Sequence, residues 1–180
     1  MGTPKLLLPW QGKTIIEQVL ASWLASPVAG VAAIIHPEDA QLADICRSLG
    51  AAVVQPQIPP PDMKTSVLHG LQHWEEKVQP TSRDAWLLAP ADMPRISSAA
   101  ITAVMMAHQP DAPQIIIPTF HGRRGHPVLF PWHYAKLAQQ LGDDEGLNVL
   151  TRRFAPQLLA YASAEILQDV DTPEDYEKLK

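Results

Sequence analysis

Ala85-Trp86-Leu87-Leu88-Ala89-Pro90-Ala91-Asp92-Met93-Pro94 is the stretch on which the fold turns. Its first five residues form a short, wholly apolar run, the pattern of a strand buried on both faces beneath helices. Two prolines then bracket an aspartate. Proline fixes φ and withholds a backbone donor, so the strand must end there. In open α/β sheets ligands bind beyond the carboxyl ends of the strands, which is where Asp92 falls. A carboxylate in that place suits magnesium, which takes one or two carboxylates and leaves its other positions to water and phosphate oxygens. The same side chain would serve equally well as a cap for the turn that follows.

Toward the N-terminus the same kind of run occurs twice more, at Gly30 to His36 and at Ala51 to Gln55. Helical patterns separate them. Thr14-Ile15-Ile16-Glu17 reads as a capping box, followed by Ile16, Val19, Leu20, Trp23 and Leu24 at helical spacing. Pro37 to Leu49 reads as a second helix stopped by Gly50. A proline-rich loop, Pro56 to Pro61, leads to a third helix carrying Val67, Leu68, Leu71 and Trp74.

Toward the C-terminus, Ser97 or Ser98 caps a helix running to about His108, and Gln114 to Pro118 reads as a strand. The loop His121 to Pro127 is polar, Val128 to Phe130 extended, and Trp132 to Leu141 helical. An acidic turn at Gly142 to Gly146, a short helix at Leu147 to Arg153 and a strand at Gln157 to Tyr161 follow. The last helix starts at Thr172-Pro173, with proline at its first position. Strands alternating with helices predict an α/β fold, a Rossmann-like three-layer arrangement around a mostly parallel sheet, in one domain spanning residues 1 to 180.

Composition narrows the function classes. Hydrophobic residues at 46% against 18% charged exclude a disordered chain. A net charge of −5 without a basic stripe argues against a nucleic-acid partner. The apolar runs are too short for a membrane span, and Met1 to Trp10 lacks the features of a secretion signal. The single cysteine, Cys46, reads as a core residue and fits a reducing cytoplasm.

Three further constellations carry chemistry. Gly2-Thr3-Pro4-Lys5 places a lysine before an apolar run, where a solvated surface residue is the commoner outcome. Gly122-Arg123-Arg124-Gly125-His126-Pro127 is rich in donors suited to anionic oxygens, although charged loops are often merely solvated. In Asp169-Val170-Asp171-Thr172-Pro173, extended backbone would turn both carboxylates to one side, toward a metal, while Asp171 or Thr172 could instead cap the next helix.

In this order the elements resemble a family. Met1-Gly2-Thr3-Pro4-Lys5-Leu6-Leu7-Leu8-Pro9 looks like the second half of the nucleotidyltransferase signature, in which a Leu-Ala-Ala-Gly loop and an arginine precede Met-Gly-x-Pro-Lys. Thr65-Ser66-Val67-Leu68-His69-Gly70-Leu71 resembles the Ser-Leu-x-x-Gly-Leu element, and Ala91-Asp92-Met93-Pro94 the metal motif. Gly125-His126-Pro127-Val128-Leu129-Phe130, Gly142-Asp143-Asp144-Glu145-Gly146 and Asp169-Val170-Asp171-Thr172-Pro173 complete the series. The chain is most similar to molybdenum cofactor cytidylyltransferases, within a group that includes the guanylyltransferases of the same pathway.

That resemblance implies a cytoplasmic enzyme moving CMP from CTP to a molybdopterin-type cofactor, with Mg2+ and release of pyrophosphate. It implies that Lys5 contacts nucleotide phosphate, Ser66 lies by base and ribose, and Asp92 holds the metal with Asp171 nearby. Gly125, His126 and Pro127 would line the acceptor side, and a molybdenum hydroxylase would receive the product. A related transferase using GTP or another acceptor, or a non-catalytic cofactor-binding paralogue, are the alternatives. The family's first strand and glycine-rich loop lie before its methionine, so the expectation is a start further upstream or a fragment. Without that strand, two neighbouring strands would keep unpaired edges.

Overall fold

The computed structural model describes residues 4–180; Met1, Gly2 and Thr3 of the signature lie outside the described residues. A 3-10 turn, Lys5–Leu7, leads into a small hairpin of β1 (Pro9–Trp10) and β2 (Lys13–Thr14). Gln11 and Gly12 turn it with φ of 47° and 84°, the positive angles that a two-residue type I′ turn requires. Helix α1 (Ile15–Leu24) then starts with the expected capping box: the Thr14 amide donates to Glu17 Oε2 at 2.6 Å and the Glu17 amide to Thr14 Oγ1 at 3.4 Å. Those two bonds satisfy donors that a helix start otherwise leaves free.

Strand β3 (Ala32–Ile34) and strand β4 (Ala52–Val54) pair in parallel around helix α2 (Ala40–Ser48). The helix starts at Ala40 instead of Pro37, because the Asp39 carboxylate accepts from the Leu42 amide at 3.1 Å and sets the cap there. Cys46 is fully buried in this part of the core, as expected, and burial pushes its thiol pKa up. Helix α3 (Met63–Val78) is capped by Asp62.

The larger sheet holds β5 (Ala85–Leu88), β6 (Ile116–Phe120), β7 (Arg123–Arg124), β8 (Val128–Pro131) and β9 (Gln157–Ala160). Its order is β5-β8-β6-β7, with β9 on the other edge of β6. The α/β class is as predicted, but the sheet is mixed where a mostly parallel one was expected. Only β9 joins β6 in parallel; β8 runs antiparallel to both β5 and β6. Too few residues link β6 to β8 for a parallel crossover, which takes about a dozen or more. Helices α4 (Ser98–Met106, capped by Ser97), α5 (Tyr134–Gln139), α6 (Asn148–Arg153) and α7 (Pro173–Leu179) complete the chain. No described helix is long and apolar enough to cross a membrane.

Among the described residues, β3 and β5 are each hydrogen-bonded to a strand on one side only. Helices hold the two sheets together instead. Ile16 and Leu20 of α1 pack with Ile35 beside β3, while Trp23 of the same helix joins Leu87 of β5. On the opposite layer, Gly70 of α3 meets Ile34 so closely that a Cβ would lie 2.9 Å from its Cδ1. Val67 and Leu71 of α3 share a core with Trp86 and Phe130, a cross-strand pair whose rings stack at 4.3 Å.

Candidate active site

Strands β5 and β6 are both antiparallel to β8, so their carboxyl ends point the same way, and Asp92 stands beyond the end of β5. Its main chain is fixed from the far end of the sequence: the Val170 amide donates to the Asp92 carbonyl at 2.9 Å. Val170 is 1% exposed and packs with Trp10, Ile15 and Val19. With Val170 turned inward, Asp169 and Asp171 on either side of it are both exposed, as alternation along extended chain requires. Thr172, not Asp171, caps α7, through a box with Asp175. Asp171 is thereby left for other work.

Lys5 closes the cluster. Its Nζ donates to Asp92 Oδ2 at 2.6 Å and to Asp171 Oδ1 at 3.3 Å. Burial alone would lower the Lys5 pKa, but the hydrogen bonds and charges of Asp92, then Asp171, outweigh it and hold the ammonium raised above 10.5. Among the described residues, the second carboxylate oxygen, Asp92 Oδ1, is buried with no hydrogen-bond partner. An unpaired buried acceptor costs its desolvation energy, so this oxygen is a place where a cation would be welcome. Asp92 and Asp171 could therefore hold a divalent cation between them. No described group of three or more His, Cys, Asp or Glu side chains could hold a metal alone. A site of that kind relies on water and phosphate oxygens for the remaining positions, as magnesium sites commonly do.

The Gly125-His126-Pro127 segment returns from β7 toward this cluster. The Gly125 amide donates to the Pro118 carbonyl at 2.8 Å, and the His126 amide to the Ile166 carbonyl at 2.8 Å. Pro127 is buried behind them. His126 Nδ1 lies 3.4 Å from the Leu88 carbonyl. A carbonyl can only accept, so Nδ1 carries the proton and Nε2 of the neutral ring is an acceptor. Burial lowers the His126 pKa, against smaller upward pulls from the Leu88 carbonyl, Asp169 and Asp92.

Ser66 is not drawn into the cluster. It sits in the first turn of α3, and its hydroxyl donates back to the Asp62 carbonyl at 3.1 Å. A surface groove beside it, lined by Thr65, Leu68, His69, Gln72 and Gln139, shares no residue with Lys5, Asp92 or Asp171. Sequence reasoning missed Lys64, which is 8% exposed and donates to the Gly142 carbonyl at 2.6 Å, tying α3 to the acidic turn. Nothing in helical periodicity marks a lysine for burial. It also read the segment between β6 and Gly125 as loop, where the chain forms a hairpin with positive φ at His121 and Gly122. The glycine was the available signal.

A signature lysine, an aspartate at a strand end and a returning carboxylate are thus brought together from three distant parts of the chain. The family model of the MobA-like NTP transferase domain matches residues 1–160. The chain belongs to this family. As a MobA-like NTP transferase it is a nucleotidyltransferase, and solved structures share its fold. Rv0371c from Mycobacterium tuberculosis H37Rv aligns at 22% identity and a TM-score of 0.79, over 99% of this chain and 90% of that one. The same mycobacterial protein has been solved in complex with manganese. A 4-diphosphocytidyl-2C-methyl-D-erythritol synthase aligns at 17% identity and 0.78, over 98% and 93%. A CMP:2-keto-3-deoxy-manno-octonic acid synthetase complexed with CTP aligns at 14% and 0.76, over 97% and 89%. No curated protein matches the chain by sequence.

Proposed function

We propose that this MobA-like NTP transferase transfers CMP from CTP to a molybdopterin-type cofactor in the cytoplasm, with Mg2+ and release of pyrophosphate. The observation that carries the reading is the pairing of Asp92 and Asp171 around one ammonium, with the Asp92 Oδ1 oxygen left without a partner among the described residues. Cytidine as the nucleotide is supported by the cytidylyl chemistry named for two structures of the same fold. The acceptor is supported by the ordered motifs from Lys5 to Asp175. A molybdenum hydroxylase is the proposed recipient.

The chemistry suits these groups. An acceptor phosphate is already a nucleophile, so the barrier is charge crowding at the α-phosphorus and not proton removal. Magnesium bound at Asp92 and Asp171 would supply the main neutralisation of phosphate charge. Lys5 holds a permanent positive charge beside both carboxylates and can turn it to a phosphate oxygen. His126, neutral and half-buried, offers Nε2 to a donor on the acceptor and orients it without acting as a base. Ser66, at the amino end of α3, is left for the base and ribose.

The test is pyrophosphate release from CTP, with GTP as the competing nucleotide, in the presence of molybdopterin and Mg2+. Asp92→Ala is expected to abolish it while leaving the melting temperature within a few degrees, since the Lys5 ammonium it leaves behind is 35% exposed and keeps Asp171 as a partner. Near-normal turnover in the variant removes Asp92 as metal ligand. A preference for GTP moves the assignment to guanylyl transfer.

A further inference from the structure

Between Asp92 and Asp171 the chain already places a cation of its own. Lys5 Nζ lies 2.6 Å from Asp92 Oδ2 and 3.3 Å from Asp171 Oδ1. Magnesium binds carboxylate oxygen at about 2.1 Å, so an ion on both oxygens falls in the space that Nζ fills. Two cations at the same oxygens repel, and a partly buried site screens them far less than water does. Among the described residues, Lys5 is the only cation with two carboxylate partners; Arg47, Arg83 and Arg153 have one each.

The backbone around this contact is fixed, whereas the ammonium is not. Lys5 opens a 3-10 turn closed by bonds from the Leu7 amide to the Pro4 carbonyl and from the Leu8 amide to the Lys5 carbonyl. Leu6 and Leu7 pack on the cluster that holds Ile16 and Leu20, and Leu8 on the one that holds Trp10 and Val170. The bond from the Val170 amide to the Asp92 carbonyl ties the two acidic segments to each other. Lys5 and Asp171 are both partly open to solvent, at 35% and 64% of their side chains. The flexible four-carbon stem therefore lets the ammonium leave by side-chain rotation alone.

We propose that Lys5 is a built-in competitor for the metal. Its ammonium holds Asp92 and Asp171 against free divalent cation and gives them up when nucleotide phosphate takes the ammonium instead. Metal and nucleotide then enter together. Phosphate oxygens supply the positions that two carboxylates leave open, and the same phosphates draw off the competing charge. The coupling is reciprocal: nucleotide raises metal affinity by the factor by which metal raises nucleotide affinity. The proposal rests on the reading of Asp92 and Asp171 as metal ligands given above.

The experiment titrates Mn2+ into the 180-residue chain without nucleotide, followed by the paramagnetic resonance of the free ion. CTP binding without metal is measured by calorimetry. The variants are K5M and K5Q, which remove the charge, K5R, which keeps it, and D92N alone and with K5M. K5M and K5Q are expected to bind Mn2+ at least about tenfold more tightly than the wild type, and K5R within about threefold of it. K5M/D92N should lose the gain. The same loss of charge should weaken CTP binding, so one substitution moves the two affinities in opposite directions. A lysine that only holds the fold would weaken both. Mn2+ affinity within about twofold of the wild type in both K5M and K5Q, or a gain undiminished in K5M/D92N, overturns the competition. Pyrophosphate release by the wild type would then leave the function standing. Mn2+ binding indifferent to D92N in every background removes Asp92 as metal ligand, and the proposal falls with it.

Discussion

At the carboxyl end of β5 the role of Asp92 is decided by what surrounds it and not by its residue type. The capping role that the sequence left open falls to Ser97 for the following helix and to Thr172 for the last one. Lys5 was open in the same way, and the structure turns its ammonium onto Asp92 at 2.6 Å instead of into solvent. His126 carries a consequence for pH. Burial holds its imidazole below the ordinary value of 6.5. The unfolded chain therefore takes up a proton that the folded chain resists, and folding is linked to that difference. Its contribution is fully present above about pH 6.5 and declines as the pH falls through that value toward the folded pKa. The ring C2 proton of His126 is expected to titrate below 6.5 by NMR. The urea midpoint should fall less between pH 7 and pH 5 in His126→Gln than in the wild type. A titration midpoint at or above 6.5 contradicts the burial argument.

Elements were legible where a polar cap meets a periodic apolar face. Thr14 with Glu17 made the expected box, and the last helix starts at Thr172 as expected with a second box through Asp175, because these contacts lie within four residues and need no tertiary partner. Helix α2 shifted to Ala40 for an equally local reason, the competing cap at Asp39. Strand β7 was missed because two arginines carry no apolar alternation; it forms only since the His121-Gly122 turn folds it onto β6. The loop after it is held by a close approach. A Cβ on Gly125 would collide with the backbone carbonyl of Ile166 and stand 2.9 Å from its Cγ1. That carbonyl is also the acceptor for His126, so it has little room to yield. Gly125→Ala is expected to cost about 1–3 kcal/mol, the usual range for overpacking, read from a denaturant midpoint. An unchanged midpoint shows that the loop can move freely off Ile166.

Over the whole molecule, helices α1 and α3 span two sheets that share no hydrogen bonds with each other among the described residues. In β3 the Ile35 amide bonds to the Val54 carbonyl, so by alternation the Ile34 amide points to the other side. In β5, residues 84 and 132 bond through the Trp132 amide, which turns the Leu87 amide away from β8. Hydrogen exchange in the 180-residue chain should therefore be faster at Ile34 and Leu87 than at Ile35 and Trp86. Equal protection at all four would mean that β3 and β5 are bridged by backbone. The α/β class and the order of most elements were readable from the sequence, because caps, short apolar runs and strand-end motifs depend on neighbours along the chain. Strand directions, the burial of Lys64, the freedom of Asp171 and the meeting of Lys5 with Asp92 were decided only by tertiary structure. Each depends on packing between segments as far as 166 residues apart, and no local pattern encodes which distant groups will share one site.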